Sequence, residues 1–246
     1  MTVSQQDLED GFRSIGLKKG MYVEVHISLS SFGHVEGGAP AVIAALKNVV
    51  TPGGAIIMTA FPFSRRLEPD EQDLKMHISV KMRILDPDSD ERTDMGLIAD
   101  TFKRDPEVVL GTDQWPVAAW GAEAELNAKG LSNLHQKDGY ALLLGVDICR
   151  LTSMHYVEGE LPDEVKAITR PSDEVRKRYP ESEWYVETGT PPSYAWYAIQ
   201  DEAFRMGYFA GKTIGNSRCL FCKVNEVIGL YRHALETDPL GLYRLR

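Results

Sequence analysis

The chain has 246 residues, 43% hydrophobic and 26% charged, with a formal net charge of −9 from 36 acidic and 27 basic residues. Such a length can bury a sizeable core in one large domain or one domain with a small appendage. The acidity argues against nucleic acid as a partner, because a phosphate backbone needs a basic face, and no apolar run reaches the roughly 18 residues of a membrane span. The excess of carboxylates either concentrates cationic ligands in a cleft or serves solubility alone. The opening stretch MTVSQQDLEDGFRSIG has no basic-then-apolar leader pattern, so residence in the cytoplasm is expected. Three cysteines, Cys149, Cys219 and Cys222, form no disulfide framework and suit a reducing compartment.

In MYVEVHISL, Met21, Val23, Val25, Ile27 and Leu29 alternate with Tyr22, Glu24, His26 and Ser28, the period of a strand. The strand leaves through the Ser/Gly stretch ISLSSFGHVEGG, and a helix follows from near Gly38, with Pro40 suited to its first turn. TPGGAIIMTAF reads as a turn and a nearly all-apolar strand covered on both faces. Strand, helix, strand in that order predicts a right-handed crossover and a parallel pair. Residues 62 to 94 are polar, with DPDSDE reading as loop. MGLIADTFKR predicts a short amphipathic helix, VAAWGAEAEL a strand entering a helix, and YALLLGVD a third buried strand from which LTSMHYVEGEL turns away. Residues 162 to 193, charged and proline-punctuated, are expected to form an excursion of short antiparallel strands or turns. AWYAIQDEAFRMGYFAG is helical by spacing, CLFCKV strand-like, and NEVIGLYRHALE a closing helix. The expected fold class is α/β, a mixed central sheet with helices on both faces, as one domain over residues 1–246.

Several familiar sites are absent. GKT at residues 211–213 lacks the upstream glycine of a phosphate-binding loop, since position 206 is Met206 and Gly207 is out of register. No G-x-S-x-G elbow and no G-x-G-x-x-G stretch occurs. Cys219 and Cys222 have Cys-x-x-Cys spacing but no second pair, so they are read as strand residues and no metal is expected. The Ser/Gly loop at the end of a parallel strand is a better candidate. It either offers accessible backbone N–H groups to an anion or caps the helix that follows. His155 and Glu158, at i and i+3, share a helical face, and Asp147 ends the strand before them. An imidazole backed by a carboxylate equips a general base, although a surface ion pair has the same spacing.

Four blocks in order resemble the aminoglycoside 3-N-acetyltransferase family: IGLKKGMYVEVHISLSSFGHVEGGAPAVIAAL, RILDPDSDERTDMGLIADTFKR, LLLGVDICRLTSMHYVE and IGNSRCLFCKVNEVIGLYRHAL. The first is close to that family's G-L-x-x-G-D-x-V-x-V-H-S-S-L-S-S-x-G-x-V-x-G-G-A. The third is close to its L-L-L-G-V-x-x-x-x-x-T-x-[LM]-H-x-x-E. The resemblance implies an aminoglycoside 3-N-acetyltransferase-like fold and transfer of acetyl from acetyl-coenzyme A to the 3-amino group of an aminoglycoside antibiotic. His155 would be the general base of a direct transfer, with Glu158 steering the ring or holding a substrate ammonium and Asp147 a second candidate partner. Ser28, Leu29, Ser30, Ser31, Phe32, Gly33, Val35, Thr59 and Phe61 would line the coenzyme A site, with N–H groups around Ser30 to Gly33 facing the oxyanion. Asp113, Trp115 and Glu160 are candidates for a cationic amine substrate; Trp120 is read as core.

The chain departs from the family pattern in places. M-P-T-F reads Met58-Thr59-Ala60-Phe61, and Thr112-Asp113 stand where His-Pro is usual, with Pro116 in place of a serine. The same chemistry on a non-antibiotic amine is therefore carried as an alternative, as is a non-catalytic acyl-coenzyme A-binding protein. A monomer or homodimer is expected.

Overall fold

Runs that alternate or are apolar throughout supply the middle of a sheet, and the computed structural model, which describes residues 2–86, 88–189 and 193–246, places them there. In chain order the strands are β1 (Thr2–Val3), β2 (Tyr22–Ile27), β3 (His34–Val35), β4 (Ala55–Thr59), β5 (Phe63–Leu67), β6 (Val80–Ile84), β7 (Val109–Leu110), β8 (Val117–Gly121), β9 (Tyr140–Leu144), β10 (Trp184–Glu187), β11 (Ala210–Ile214) and β12 (Ser217–Lys223). Seven of them form a mixed sheet in the order β11-β12-β9-β2-β4-β8-β7. Its centre is parallel, β2 lying between β9 and β4, and the outer pairs are antiparallel. The predicted parallel pair is thus β2 with β4.

Every residue of β4 is buried because helices cover both faces. On one face pack the helices Gln5–Ile15, Gly38–Val50 and Leu97–Lys103, around Phe12, Phe32, Leu46, Ile56 and Phe102. On the other pack the 3-10 segment Thr152–Glu160 and the helices Ser193–Arg205 and Val224–Thr237, around Ile57, Leu143, Met154, Val157, Ile199 and Tyr231. Consecutive residues of β4, such as Ile56 and Ile57, go to opposite cores, as the two-residue period of a strand requires. Trp120 lies in the first core, with Lys47 over its ring. Cys219 and Cys222 are β12 residues and are free thiols. None of the described helices is long and apolar enough to cross a membrane.

The polar stretch over 62–94, for which the sequence predicts no element, contains β5, the helix Glu71–Lys75 and β6, while the described residues of DPDSDE, all but Pro87, lie outside any helix or strand. The excursion over 162–193 contains two short helices, Asp163–Lys166 and Asp173–Arg178, and one strand, β10; Thr190, Pro191 and Pro192 lie outside the described residues. These two regions complete each other as a separate antiparallel sheet, β10-β6-β5. In FSRRL and VKMRI the arginines are largely exposed and the buried residue of VKMRI is a lysine, Lys81, so their sequences carry too few apolar residues to show a strand period. The helix Gln5–Ile15 was also not anticipated, although Ser4 and Asp7 form a capping box at its start.

Because β2 and β9 are parallel, the loops that follow them emerge at the same edge of the sheet. The Ser28 N–H donates to Leu144 O at 2.9 Å, and Ser31 Oγ lies 2.8 Å from Ser217 Oγ. Gly145, at φ +68°, allows this closeness: a Cβ there would lie 1.9 Å from Ser31 Oγ. The Ser-rich loop therefore packs against the end of β9, at the edge of the parallel strands where α/β folds place ligands.

Candidate active site

After Gly145 the chain makes a short 3-10 turn, Ile148–Arg150, and then the 3-10 segment Thr152–Glu160. In a 3-10 helix residues three apart eclipse one another, so His155 and Glu158 stand on one edge. His155 Nδ1 lies 2.7 Å from Glu158 Oε2. An ionised carboxylate only accepts, so Nδ1 carries the proton and Nε2 keeps a free lone pair. Trp196 meets the imidazole edge-on at 5.0 Å, bracing the ring from the helix Ser193–Arg205. The His155 side chain is 57% exposed. The surrounding protein still desolvates it in part. Desolvation alone would lower its pKa; the Glu158 hydrogen bond and charge, with the charges of Glu24 and Glu187, outweigh it and raise the pKa above the ordinary 6.5.

Beneath this segment lies Glu24, in the middle of β2 and 0% exposed. Its Oε1 accepts from His26 Nε2 at 2.7 Å and from the Ser153 N–H at 3.2 Å, and its Oε2 accepts from the Ser153 hydroxyl. Burial would raise the Glu24 pKa, but these bonds and the His26 charge bring it below the ordinary carboxylate value. His135 Nε2 lies 2.9 Å from Ser153 Oγ, and its Nδ1 is buried with no hydrogen-bond partner among the described residues.

The small sheet supplies the facing groups. Tyr185 donates to Glu187, and burial, reinforced by the charge of Glu158, holds Glu187 above the usual carboxylate range despite that bond and the charges of His155 and Arg66. Tyr185 also belongs to an aromatic cluster in which Trp115 lies 5.3 Å from Phe61, 5.0 Å from Phe63 and 5.8 Å from Tyr185. Trp115 remains 40% exposed. Aromatic rings and carboxylates thus extend from the Trp115 cluster toward His155 along β10.

The structure sorts the residues singled out by sequence. His155 and Glu158 are brought together. Asp147 is not part of that pair: its Oδ1 accepts the Cys149 N–H at 3.0 Å and its Oδ2 the Tyr197 hydroxyl at 2.9 Å. In the loop after β2, Ser30 and Gly33 are exposed, and Ser28, Leu29 and Ser31 half-buried. The side chains of Phe32, Val35 and Thr59 are buried, so these three serve the core and can offer a ligand only backbone. Phe61 is half-buried and belongs to the Trp115 cluster. Asp113 is exposed beside a shallow pocket also lined by Asp86 and Thr112. Glu160 is held by Arg232 at 3.2 Å.

Glu24, Glu187, Tyr185 and Trp196 were not singled out. For Glu24 a signal existed: a carboxylate and a histidine at i and i+2 in a strand flanked by strands that read as buried. Glu187 and Tyr185 lie in a segment without apolar period, and no local pattern marks them.

The model of the aminoglycoside 3-N-acetyltransferase family matches residues 25–236. A prophage-derived aminoglycoside N(3')-acetyltransferase-like protein, YokD of Bacillus subtilis (strain 168), is 33% identical over 179 residues, which are 65% of this chain. They are 66%, just under two thirds, of that relative's own length. The crystal structure of aminoglycoside acetyltransferase AAC(3)-IVa as apoenzyme superposes with a TM-score of 0.74 at 21% identity, covering 98% of this chain and 91% of that one. AAC-IIIb, solved as a binary complex with CoASH, gives 0.69 at 18% identity, covering 96% and 97%. Likeness at such identities establishes the fold.

Proposed function

Because the chain belongs to the aminoglycoside 3-N-acetyltransferase family, we propose that it transfers the acetyl group of acetyl-coenzyme A to an amine, with the 3-amino group of an aminoglycoside as acceptor. The observation that carries this reading is the His155–Glu158 pair: Nδ1 is held at 2.7 Å, Trp196 braces the ring edge-on at 5.0 Å, and Nε2 makes no hydrogen bond among the described residues.

Acetyl-coenzyme A is a substrate that, when bound, presents an acyl carbon activated as a thioester. The loop after β2 suits it. The amides of Leu29 and Ser30 precede the first i→i−3 bond of their 3-10 turn, Ser31 N–H to Ser28 O at 3.2 Å, so they have no acceptor within the turn. The hydroxyls of Ser28 and Ser30, 3.2 Å apart, retain spare donors and acceptors beside them.

Amines of this class are largely protonated near neutral pH and attack only as the free base, so the reaction turns on a proton. His155 Nε2 takes the proton that the attacking nitrogen sheds; Glu158 holds the ring and stabilises the imidazolium that results. A C–N bond replaces the C–S bond, and the proton passes to the leaving thiolate. Glu187 and Glu158 attract ammonium groups of the acceptor. No covalent enzyme intermediate is needed.

The reading is tested by thiol release from acetyl-coenzyme A with a panel of aminoglycosides. Thiol release dependent on an aminoglycoside is expected; none with any of them at micromolar enzyme would remove the antibiotic acceptor. A second reading keeps the chemistry and changes the acceptor to a non-antibiotic amine. The exposed Trp115 in its aromatic cluster, beside the altered residues Thr112 and Asp113, favours it. A far higher efficiency with such an amine in the same assay would select it.

The raised pKa of His155 gives a pH signature. The base must be neutral, so kcat/KM should rise with pH through a value above 6.5. Glu158→Gln removes the hydrogen-bonded charge that raises this pKa, so the acidic limb should move to lower pH while kcat falls on the order of tenfold. A limb that stays in place would assign it to another group.

A further inference from the structure

The segment that carries His155 is a 3-10 helix of nine residues, Thr152–Glu160. Runs longer than three or four residues are uncommon, because 3-10 hydrogen bonds have poor geometry. Such a segment does not fix its own direction well, and its hold must come from outside. At its first turn it meets Glu24. Both Glu24 oxygens are occupied there, Oε1 by the Ser153 N–H at 3.2 Å and by His26 Nε2 at 2.7 Å, Oε2 by the Ser153 hydroxyl. Placing an ionised carboxylate at 0% exposure is costly unless every lone pair is used. The cross-strand neighbours of Glu24, Ile57 and Ala141, fill the same face of the sheet with apolar side chains, so packing alone does not call for a glutamate. A satisfied polar network of this kind selects one arrangement among several that an apolar contact would tolerate.

We propose that Glu24 is a positioning residue of the reaction: from within the sheet it clamps Ser153, and through that turn it sets the direction in which His155 points. The proposal rests on the reading of His155 as the base. Glu24 itself has no path to substrate.

Glutamine separates the hydrogen-bond frame from the charge. In Glu24→Gln the amide oxygen can accept from His26 and the Ser153 N–H, while the amide nitrogen donates to Ser153 Oγ. The Ser153 hydroxyl then turns toward His135 Nε2, 2.9 Å away, whose ring can switch tautomer because its Nδ1 meets no partner among the described residues. Glu24→Met keeps the volume and loses every one of these bonds.

The experiment compares Glu24→Gln, Glu24→Met and Ser153→Ala by steady-state kinetics and by NMR of protein labelled with carbon-13 histidine. Glu24→Gln is expected to keep kcat within threefold and, at a pH where the ring is neutral, the His155 resonance in its wild-type place; only its titration moves to lower pH with the loss of the Glu24 charge. Glu24→Met should lower kcat at least tenfold, with both KM values within twofold and a shifted or broadened His155 resonance; Ser153→Ala should change the same quantities in the same sense. Full turnover and an unmoved resonance in Glu24→Met would overturn the proposal. So would a Glu24→Gln variant that falls as far as Glu24→Met, since charge and not the frame would then matter. Should Glu24→Met fail to fold, Ser153→Ala decides by the same measurements. Wild-type protein that releases no thiol, yet differs from the variants in its His155 resonance, would mark failure of the functional reading and leave the positioning intact.

Discussion

Replacing His155 with alanine should lower kcat for acetyl transfer at least a hundredfold and leave the affinity for acetyl-coenzyme A nearly unchanged. A base that acts as the amine attacks contributes to the transition state and not to ground-state binding, and a positioned proton acceptor supplies about 10²–10⁴-fold. The variant should fold normally. The ring is 57% exposed and its contacts are Glu158 and the edge of Trp196, so its loss opens no core cavity. Steady-state kinetics paired with calorimetric titration of acetyl-coenzyme A separate the two quantities. Near-normal turnover would mean that the proton leaves by another route, and a large loss of affinity would make the histidine a binding residue.

The pair at the centre of this reading could be found from sequence because it is local: His155 and Glu158 are three residues apart, and either helical period puts them on one face. The strands of the large sheet were equally open to reading, since AIIMT and YALLL have no polar residue to spare for solvent. Other parts depend on partners distant in the chain. Glu24 meets Ser153 across 129 positions, and β10 pairs with β6 about a hundred positions before it. No window of sequence contains both members of either pair. The loop after β2 teaches a different lesson. A matching motif marks a segment and not the direction of each side chain, so Phe32, Val35 and Thr59 were grouped with their exposed neighbours although they face the core. Asp147 was drawn toward His155 by nearness in sequence, but the turn between them gives its carboxylate to Tyr197 and Cys149.

The small sheet was hardest to foresee, and it should also be the most fragile part of the molecule. Its buried apolar cluster is Ile78, Val175, Tyr179 and Val186, with Phe63 buried apart from it, a core too small to hold three strands by hydrophobic burial alone. Asp73 ties it together at 0% exposure. It accepts from Lys81 of β6 and from the Tyr179 hydroxyl at 2.5 Å, and it caps its own helix through the Asp70 N–H at 2.9 Å. Asp73→Ala leaves the Lys81 ammonium buried without its closest partner, a change that costs about 3–5 kcal/mol. Amide exchange over residues 63–84 and 184–187 should quicken markedly while β4 and β9 stay protected. Since β10 carries Tyr185 and Glu187, KM for the amine should rise more than KM for acetyl-coenzyme A. Acid should act similarly on the wild-type protein. Burial alone would raise the Asp73 pKa, but Lys81, Tyr179 and the Asp70 N–H hold it below 3.8. A carboxylate depressed in the folded state contributes stability that is fully present above its unfolded value and is lost as pH falls through its native one. The small sheet should therefore weaken below about pH 4 in the wild type, and the alanine variant should lack that component of the pH dependence. Unchanged exchange in Asp73→Ala at neutral pH would show that the strands are held by something other than this buried ion pair.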